Sequence, residues 1–330
     1  MKYEQQKQVG NTPFVPLRGF QQTGAAEVWG KCEYLNPTGT PKDRLYTYII
    51  EKLEESGQIQ PGMTLVDAST GNGGGALARA ANLKGYKSVI IMPEGMTQER
   101  KNVIKSWHGQ IIESPAEEFL LGAERVALGF VEENPEARYL NQAGTQMNWQ
   151  SMRSIGREVV EEFKKSGIKP QAFVCSIGTG GTYTGVATEL ENAFPGLLKI
   201  GIEVDKSAPL FSKRNARPFE HRHHNLMGLG PGKIGGNLNE NMVDEVVTVS
   251  GDEAWQMMKK LVKKGYQTGP TSGANVLVAL KYARRFGASG KIATVLFDAS
   301  WKYISIWDGR YQHYQDASLP SEPPTAKVIV

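Results

Sequence analysis

The sequence predicts an α/β protein of two domains, each a mostly parallel sheet covered by helices. Two observations lead there. Short apolar runs alternate with amphipathic stretches along the 330 residues, the pattern of strand–helix–strand units. Two glycine-rich loops, "STGNGGG" and "GTGGTYTG", each follow an apolar run and open an amphipathic one. Open parallel sheets bind ligands beyond such strand ends.

In chain order, "AEVWGKCEY" (26–34) reads as the first strand. A helix follows in "DRLYTYIIEKLEESG", where Leu45, Tyr48, Ile49 and Leu53 recur at helical spacing and Asp43 suits the positive end of the dipole. The runs "TLVDAS" (64–69), "SVIIMP" (88–93) and "QIIES" (110–114) have strand length, with helical periods at 74–84, 97–107 and 117–133. The pattern then repeats: helix 149–166, strand "AFVCSI" (172–177), helix 182–193, strand "KIGIEV" (199–204) and strand "EVVTVS" (245–250). Helices at 252–264 and 273–286 precede the last strand, "IATVLF" (292–297), and Ser250 with Glu253 forms a capping box before the first of them. Strand and helix in alternation imply parallel sheets covered on both faces. The expected division is a smaller mobile domain at 40–146, a larger one combining 1–39 with 147–310, and a surface tail at 311–330.

The bulk numbers exclude several classes. A net charge of +4 is small, and its Lys and Arg residues are spread along the chain, so no basic block points to nucleic acid. No run approaches the ~18 apolar residues of a membrane span, and the N-terminal stretch lacks a signal-peptide core. Cys32 and Cys175 stand far apart in apolar surroundings and read as reduced core residues, which suggests a cytoplasmic protein. The outlier is glycine: 37 in 330 residues, about 11% against an average near 7%. These glycines concentrate in a few loops.

In "NPTGTPKDRL" (36–45), Lys42 sits at a helix start, where a positive charge is disfavoured. The position suits a lysine wanted uncharged, since a neutral amine is a nucleophile that forms a Schiff base with an aldehyde. The two glycine loops each offer backbone N–H groups and hydroxyls at a helix N-terminus, a ready anion site. A nucleotide fold is a competing reading, because Gly71, Gly73 and Ala76 satisfy GxGxxA after a strand and Glu94 follows. That reading leaves Lys42 and the second loop without a role. His221, His223 and His224 cluster in "FEHRHHN" but find no second ligand set at metal spacing. A cofactor carrying one aldehyde and one phosphate would use the lysine and both loops, and pyridoxal 5'-phosphate fits that description.

At this point the chain resembles the fold-type II pyridoxal-phosphate enzymes, whose architecture is shared with tryptophan synthase β, and most closely the cysteine synthase and cystathionine β-synthase family. The resemblance covers roughly 9–306 and rests on eight motifs in order: "GNTPFVPL", "NPTGTPKDR", "STGNGGGALA", "MPEGMTQERKNVIKSWHGQII", "GTGGTYTGV", "HNLMGLGPG", "GPTSGANVLVALKYA" and "FDASWKYIS". It implies that Lys42 carries the cofactor and later shuttles the α-proton. Asn72 would bond the phenolic oxygen, and Gly178, Thr179, Gly180, Gly181 and Thr182 would form the phosphate cup. Thr271 would face the pyridine nitrogen, with Asp298 standing behind the site rather than on the ring. Ser69, Thr70, Asn72 and Gln142 would receive the substrate carboxylate, and Gly228 would flank the entrance.

The activity implied is β-replacement on an activated L-serine through an aminoacrylate, giving L-cysteine or another β-substituted alanine. β-Elimination and cystathionine β-synthase-type condensation stand as alternatives. A small amino acid, a nucleophile co-substrate and a homodimer are the partners implied. The chain departs from the family's pattern in three places. A threonine is usual after the asparagine, where this chain has Gly73, Gly74 and Gly75, so one hydroxyl is missing and the loop is expected to gain freedom. Pro41 precedes the lysine where a small or β-branched residue is usual. Trp301 and Lys302 replace a familiar glycine-containing pair, a change expected to bear on substrate and not on the cofactor. Finally, the basic run with Lys213, Arg214, Arg217 and Arg222 precedes the entrance motif. Such a run reads first as a solvated surface loop, and acetate departs with little electrostatic help, so O-acetylserine is the first expectation. An arginine reaching the mouth would favour an anionic leaving group, which makes O-phosphoserine the second.

Overall fold

The structure, a computed structural model, describes residues 8–222 and 224–307. These described residues form ten strands and ten α-helices in chain order. The strands are β1 (Phe14–Pro16), β2 (Glu27–Cys32), β3 (Thr64–Ala68), β4 (Lys87–Pro93), β5 (Gln110–Ser114), β6 (Ala137–Tyr139), β7 (Ala172–Ser176), β8 (Leu198–Val204), β9 (Glu245–Val249) and β10 (Lys291–Leu296). The helices are α1 (Lys42–Glu55), α2 (Asn72–Leu83), α3 (Gln98–Ser106), α4 (Phe119–Glu133), α5 (Met147–Lys165), α6 (Gly181–Ala193), α7 (Pro209–Arg214), α8 (Gly251–Lys263), α9 (Pro270–Ala283) and α10 (Ile304–Trp307).

The strands make two sheets. One has six strands in the order β1-β2-β10-β7-β8-β9, and the other four in the order β5-β4-β3-β6. Every pairing is parallel except β1 with β2. The period of two divides each central strand between helical layers. In β3, Leu65 packs with Leu77 and Ala81 of α2, while Val66 and Ala68 pack with Ala123 and Ala127 of α4 on the other side. The larger sheet is covered likewise by α5 and α6 on one side and by α8 and α9 on the other, through Phe163, Leu190, Met258 and Val276. The expected capping box is present, with Ser250 and Glu253 exchanging bonds at the start of α8.

Two strands escape sequence reading for a physical reason. β1 and β6 have three residues each, too short for any periodicity to emerge. Pro16 is tolerated in β1 because the strand lies at a sheet edge. The triple glycine is a correction. Residues 73–75 lie buried inside α2, where a Cβ on Gly74 would sit 2.7 Å from Ile90 Cγ2 and one on Gly75 2.8 Å from Val103 Cγ1. These glycines let α2 approach its neighbours closely; they do not loosen a loop. The tail at 311–330 and His223 lie outside the described residues.

A buried ion network fixes where α1 begins. Arg44 bonds both oxygens of Glu33, at 2.8 and 2.7 Å, and reaches Glu158 of α5 at 2.5 and 2.8 Å. Thr12 of the "GNTP" stretch donates to Glu33 at 2.6 Å. Such bidentate pairs are geometrically exacting, so they hold the N-terminal segment, α1 and α5 in one arrangement.

Candidate active site

The ends of β3 and β7 face a cavity of about 210 Å³ lined by residues of both sheets. First-turn residues of five helices converge on it: Lys42 of α1, Asn72 and Gly73 of α2, Phe119 and Leu120 of α4, Thr182 of α6 and Thr271 of α9. Each helix N-terminus brings partial positive charge, so the cavity attracts anionic groups and disfavours an ammonium.

Lys42 is half-buried, and its Nζ makes no hydrogen bond among the described residues. Burial pushes its pKa down to about 8, against the pull of the Asp67 carboxyl. Asp67 lines the same cavity and was not singled out from sequence. Burial pushes it up to about 7, although Tyr46, the N–H groups of Gln142 and Ala68, and Lys42 all stabilise its charge. Tyr46 donates to it at 3.0 Å. Asp43, in the first turn of α1 as expected, is buried. It accepts from Thr38 N at 2.8 Å and Thr38 Oγ1 at 2.9 Å, and burial pushes it up to about 6.

These shifts set a pH dependence for the cofactor-free protein. Between the ordinary carboxylate range and about pH 7, folded Asp67 and Asp43 hold protons that the unfolded chain has released, so stability falls as pH rises. Between about pH 8 and 9, folded Lys42 and Lys302 have lost protons that the unfolded chain keeps to about 10.5, so stability rises. Above that, Cys32 and Cys175, pushed up by burial, keep protons that the unfolded chain releases, and the slope reverses. The thermal midpoint is therefore expected to pass through a minimum between pH 7 and 8, a few °C deep. Calorimetry from pH 5.5 to 9.5 checks this, and a midpoint that climbs steadily across the range would contradict it.

The first glycine loop runs from β3 into α2. Ser69 Oγ accepts from Gly71 N at 3.0 Å and Gly74 N at 2.9 Å, which leaves only its proton to offer the cavity. Thr70 also lines the cavity, as does Gln142, which is buried and anchored through Nε2 to the Ala68 carbonyl at 2.8 Å. A Cβ at position 73 would lie 2.6 Å from Gln142 Nε2 and 2.9 Å from Ser69 Oγ. Gln142 thus fills the space of the missing threonine. The Asn72 amide is held at both ends: Nδ2 donates to Asp298 Oδ2 at 2.8 Å, and Oδ1 accepts from Lys302 Nζ at 2.8 Å. Lys302 therefore bears on Asn72, which the resemblance sets at both cofactor and substrate. Asp298 touches Asn72 and Tyr303, and it too lines the cavity.

The second loop leads from β7 into α6. Gly178, Thr179, Gly180 and Thr182 line the cavity, and Gly181 is the buried first residue of α6. No side chain caps this helix. Gly180 has φ 87°, and a Cβ there or on Gly181 would overlap Leu238 backbone or the Asn148 side chain. Gly228 closes the far side, 3.3 Å from where a Gly178 Cβ would be. Thr271 is buried and lines the cavity, and its hydroxyl makes no hydrogen bond among the described residues. An uncapped glycine cradle, an unbonded hydroxyl and an amine with a lowered pKa fit the phosphate, ring nitrogen and aldehyde of pyridoxal phosphate.

The family described as "Pyridoxal-phosphate dependent enzyme" matches residues 6–298. The chain belongs to that family. A cysteine synthase of Staphylococcus aureus is 35% identical over 301 residues, covering 90% of this chain and 94% of its own. Among solved structures, an O-ureido-L-serine synthase superposes with TM-score 0.83 at 27% identity, over 93% of this chain and 96% of that one. An O-acetylserine-dependent cystathionine β-synthase from Helicobacter pylori gives 0.84 at 27%, over 92% and 96%. The protein is thus a pyridoxal-phosphate-dependent β-replacing enzyme of the cysteine synthase and cystathionine β-synthase group.

The basic run does not reach the cavity. Lys213 pairs with Glu240 at 2.9 Å, Arg214 donates to the Glu240 carbonyl at 2.8 Å, and exposed Arg217 lies over the Phe211 ring at 5.7 Å. Arg222 is exposed and absent from the lining, whereas Lys233 joins it at the mouth. His221 and His224 turn to Ser207 Oγ at 2.8 Å and the Gly230 carbonyl at 3.2 Å. No helix among the described residues is long and apolar enough to cross a membrane.

Proposed function

We propose that the enzyme replaces the β-substituent of O-acetyl-L-serine, and of O-phospho-L-serine less well, giving L-cysteine when sulfide is the nucleophile. What carries this reading is the cavity wall. Beside the polar loops it is largely apolar, with Phe119, Leu120, Leu121 and Tyr139. Apart from Lys42 its cation is Lys233 at the mouth, with Glu124 in the same lining, and Arg217 and Arg222 stand outside it. Acetate departs with little electrostatic help, whereas phosphate needs cations near the β-carbon. The Helicobacter pylori relative, named for its use of O-acetylserine, supports the same donor.

Bound pyridoxal phosphate supplies the electron sink that acidifies the α-proton of an amino acid. The N–H groups opening α6 hold its phosphate with Thr179 and Thr182, Asn72 faces the phenolic oxygen, and the neutral Thr271 hydroxyl meets the ring nitrogen. Ser69, Thr70 and Gln142 receive the substrate carboxylate, and Gly228 flanks the entrance. Lys42 Nζ takes the α-proton; with a pKa lowered to about 8, part of its population is free base at neutral pH. In this reading 40–146 forms a smaller domain that closes over the amino acid against a larger one of 1–39 and 147–310, and the active species is a homodimer.

Product analysis by mass spectrometry tests the donor. O-Acetylserine with sulfide is expected to give cysteine at a kcat/KM at least about tenfold above that of O-phosphoserine, roughly one hydrophobic contact's worth of discrimination. A preference for phosphoserine would overturn the donor assignment. Pyruvate and ammonia released without a nucleophile would replace β-replacement by β-elimination.

A further inference from the structure

Lys302 is 2% exposed, on the short turn Ser300–Tyr303 that follows β10. A buried ammonium is costly unless paired with a carboxylate. Two carboxylates, Asp298 and Asp43, are near enough to favour its charge, and Arg100 opposes it. Yet among the described residues the one hydrogen bond of its ammonium goes to a neutral amide, Asn72 Oδ1 at 2.8 Å. The turn itself is held by its own backbone, with Lys302 N donating to the Ala299 carbonyl at 3.2 Å, and by Thr97 Oγ1 donating to the Lys302 carbonyl at 3.3 Å. The turn thus has its own anchors, and the side chain is left to serve Asn72.

The amide has two possible orientations. In the one present, its oxygen meets the ammonium and one Nδ2 hydrogen meets the Asp298 carboxylate, whose Oδ2 also accepts from Tyr303 at 2.5 Å. A flip would set NH₂ against the cation and oxygen against the anion, losing two charge-assisted bonds at once. The second Nδ2 hydrogen remains for the cavity that Asn72 lines. A charge-assisted bond to the amide oxygen also polarises the group and strengthens that remaining donor.

We propose that Lys302 is a positioning residue of the active site: it locks the Asn72 amide with its free N–H turned to the cofactor's phenolic oxygen and strengthens that donor. The proposal rests on the reading that Asn72 faces this oxygen. It is tested on Lys302→Met, Lys302→Arg and Asn72→Ala by titrating the cofactor-free proteins with pyridoxal phosphate and recording the visible band. Lys302→Met is expected to bind about tenfold more weakly and to show the band displaced toward the shorter-wavelength form with a protonated phenol. Lys302→Arg, still charged, is expected to restore both to within about twofold. Asn72→Ala should move both in the direction of Lys302→Met. Wild-type affinity and band in Lys302→Met, beside an impaired Asn72→Ala, would overturn the proposal. An unimpaired Asn72→Ala would instead overturn the reading on which it rests. Should Lys302→Met not fold, Lys302→Gln keeps a donor without the charge; the same displacement is expected there, and an unchanged band overturns the proposal.

Discussion

Replacing Lys42 by alanine is expected to reduce kcat/KM by ~10⁴-fold or more, beyond the usual worth of a general base because the same amine also carries the cofactor. The variant should fold normally. The wild-type side chain places an amine at the positive end of α1, where burial already pushes its pKa down to about 8. Alanine removes that penalty and is the best helix former, so the thermal midpoint of the cofactor-free variant should equal or exceed that of the wild type near neutral pH. Borohydride reduction followed by peptide mapping gives a readout independent of turnover. Wild type should retain the reduced cofactor on Lys42, and Lys42→Ala should retain none there or elsewhere. Activity within about tenfold of wild type would remove Lys42 from the chemistry.

What the sequence made legible was local, and what it hid was assembled from afar. Lys42 stands out because a cation is disfavoured at a helix start, and the 178–182 loop because a glycine run between a strand and a helix has few structural uses, whereas the role of Asn72 comes only from the resemblance. The network behind Asn72 is different. Asp298 and Lys302 lie more than 220 positions away in the chain, at separations of 226 and 230. Nothing in "SWKY" distinguishes a buried lysine from a solvated one. Asp67 is hidden for a related reason, since an acid inside a strand run shows no role until Tyr46 and Gln142 are seen to enclose it. The basic run shows the converse. Its charges were plain, but the 3.0 Å approach of Lys213 to Glu240 depends on how residues 213–240 fold back, which spacing cannot reveal. The glycines at 73–75 were misread because glycine has two uses, freedom and close approach, and only the neighbours Ile90 and Val103 decide between them.

That distinction makes Gly180 the most informative backbone position in the site. It precedes α6 with φ 87°, in the left-handed region, and a Cβ there would overlap the backbone N and Cα of Leu238. Left-handed dihedrals alone cost a non-glycine residue roughly 1–2 kcal/mol. The overlap cannot be relieved by a rotamer change, because the colliding atoms are main chain. The loop must move, and with it the uncapped N–H groups that open α6 toward the cavity. Gly180→Ala is therefore expected to weaken pyridoxal phosphate binding about 100-fold, equivalent to ~3 kcal/mol. Lys42 remains to take the aldehyde, so borohydride should still fix the cofactor at saturating concentration, which separates loss of the phosphate seat from loss of the amine. Gly129→Ala is the matched control: Gly129 lies in α4 with nothing within 4 Å of its Cβ position, and alanine there should leave affinity unchanged and stabilise the helix by up to ~1 kcal/mol. Titration of the two cofactor-free variants under conditions where both are folded decides the matter. Affinity within about threefold of wild type in Gly180→Ala would mean that the loop does not hold the phosphate.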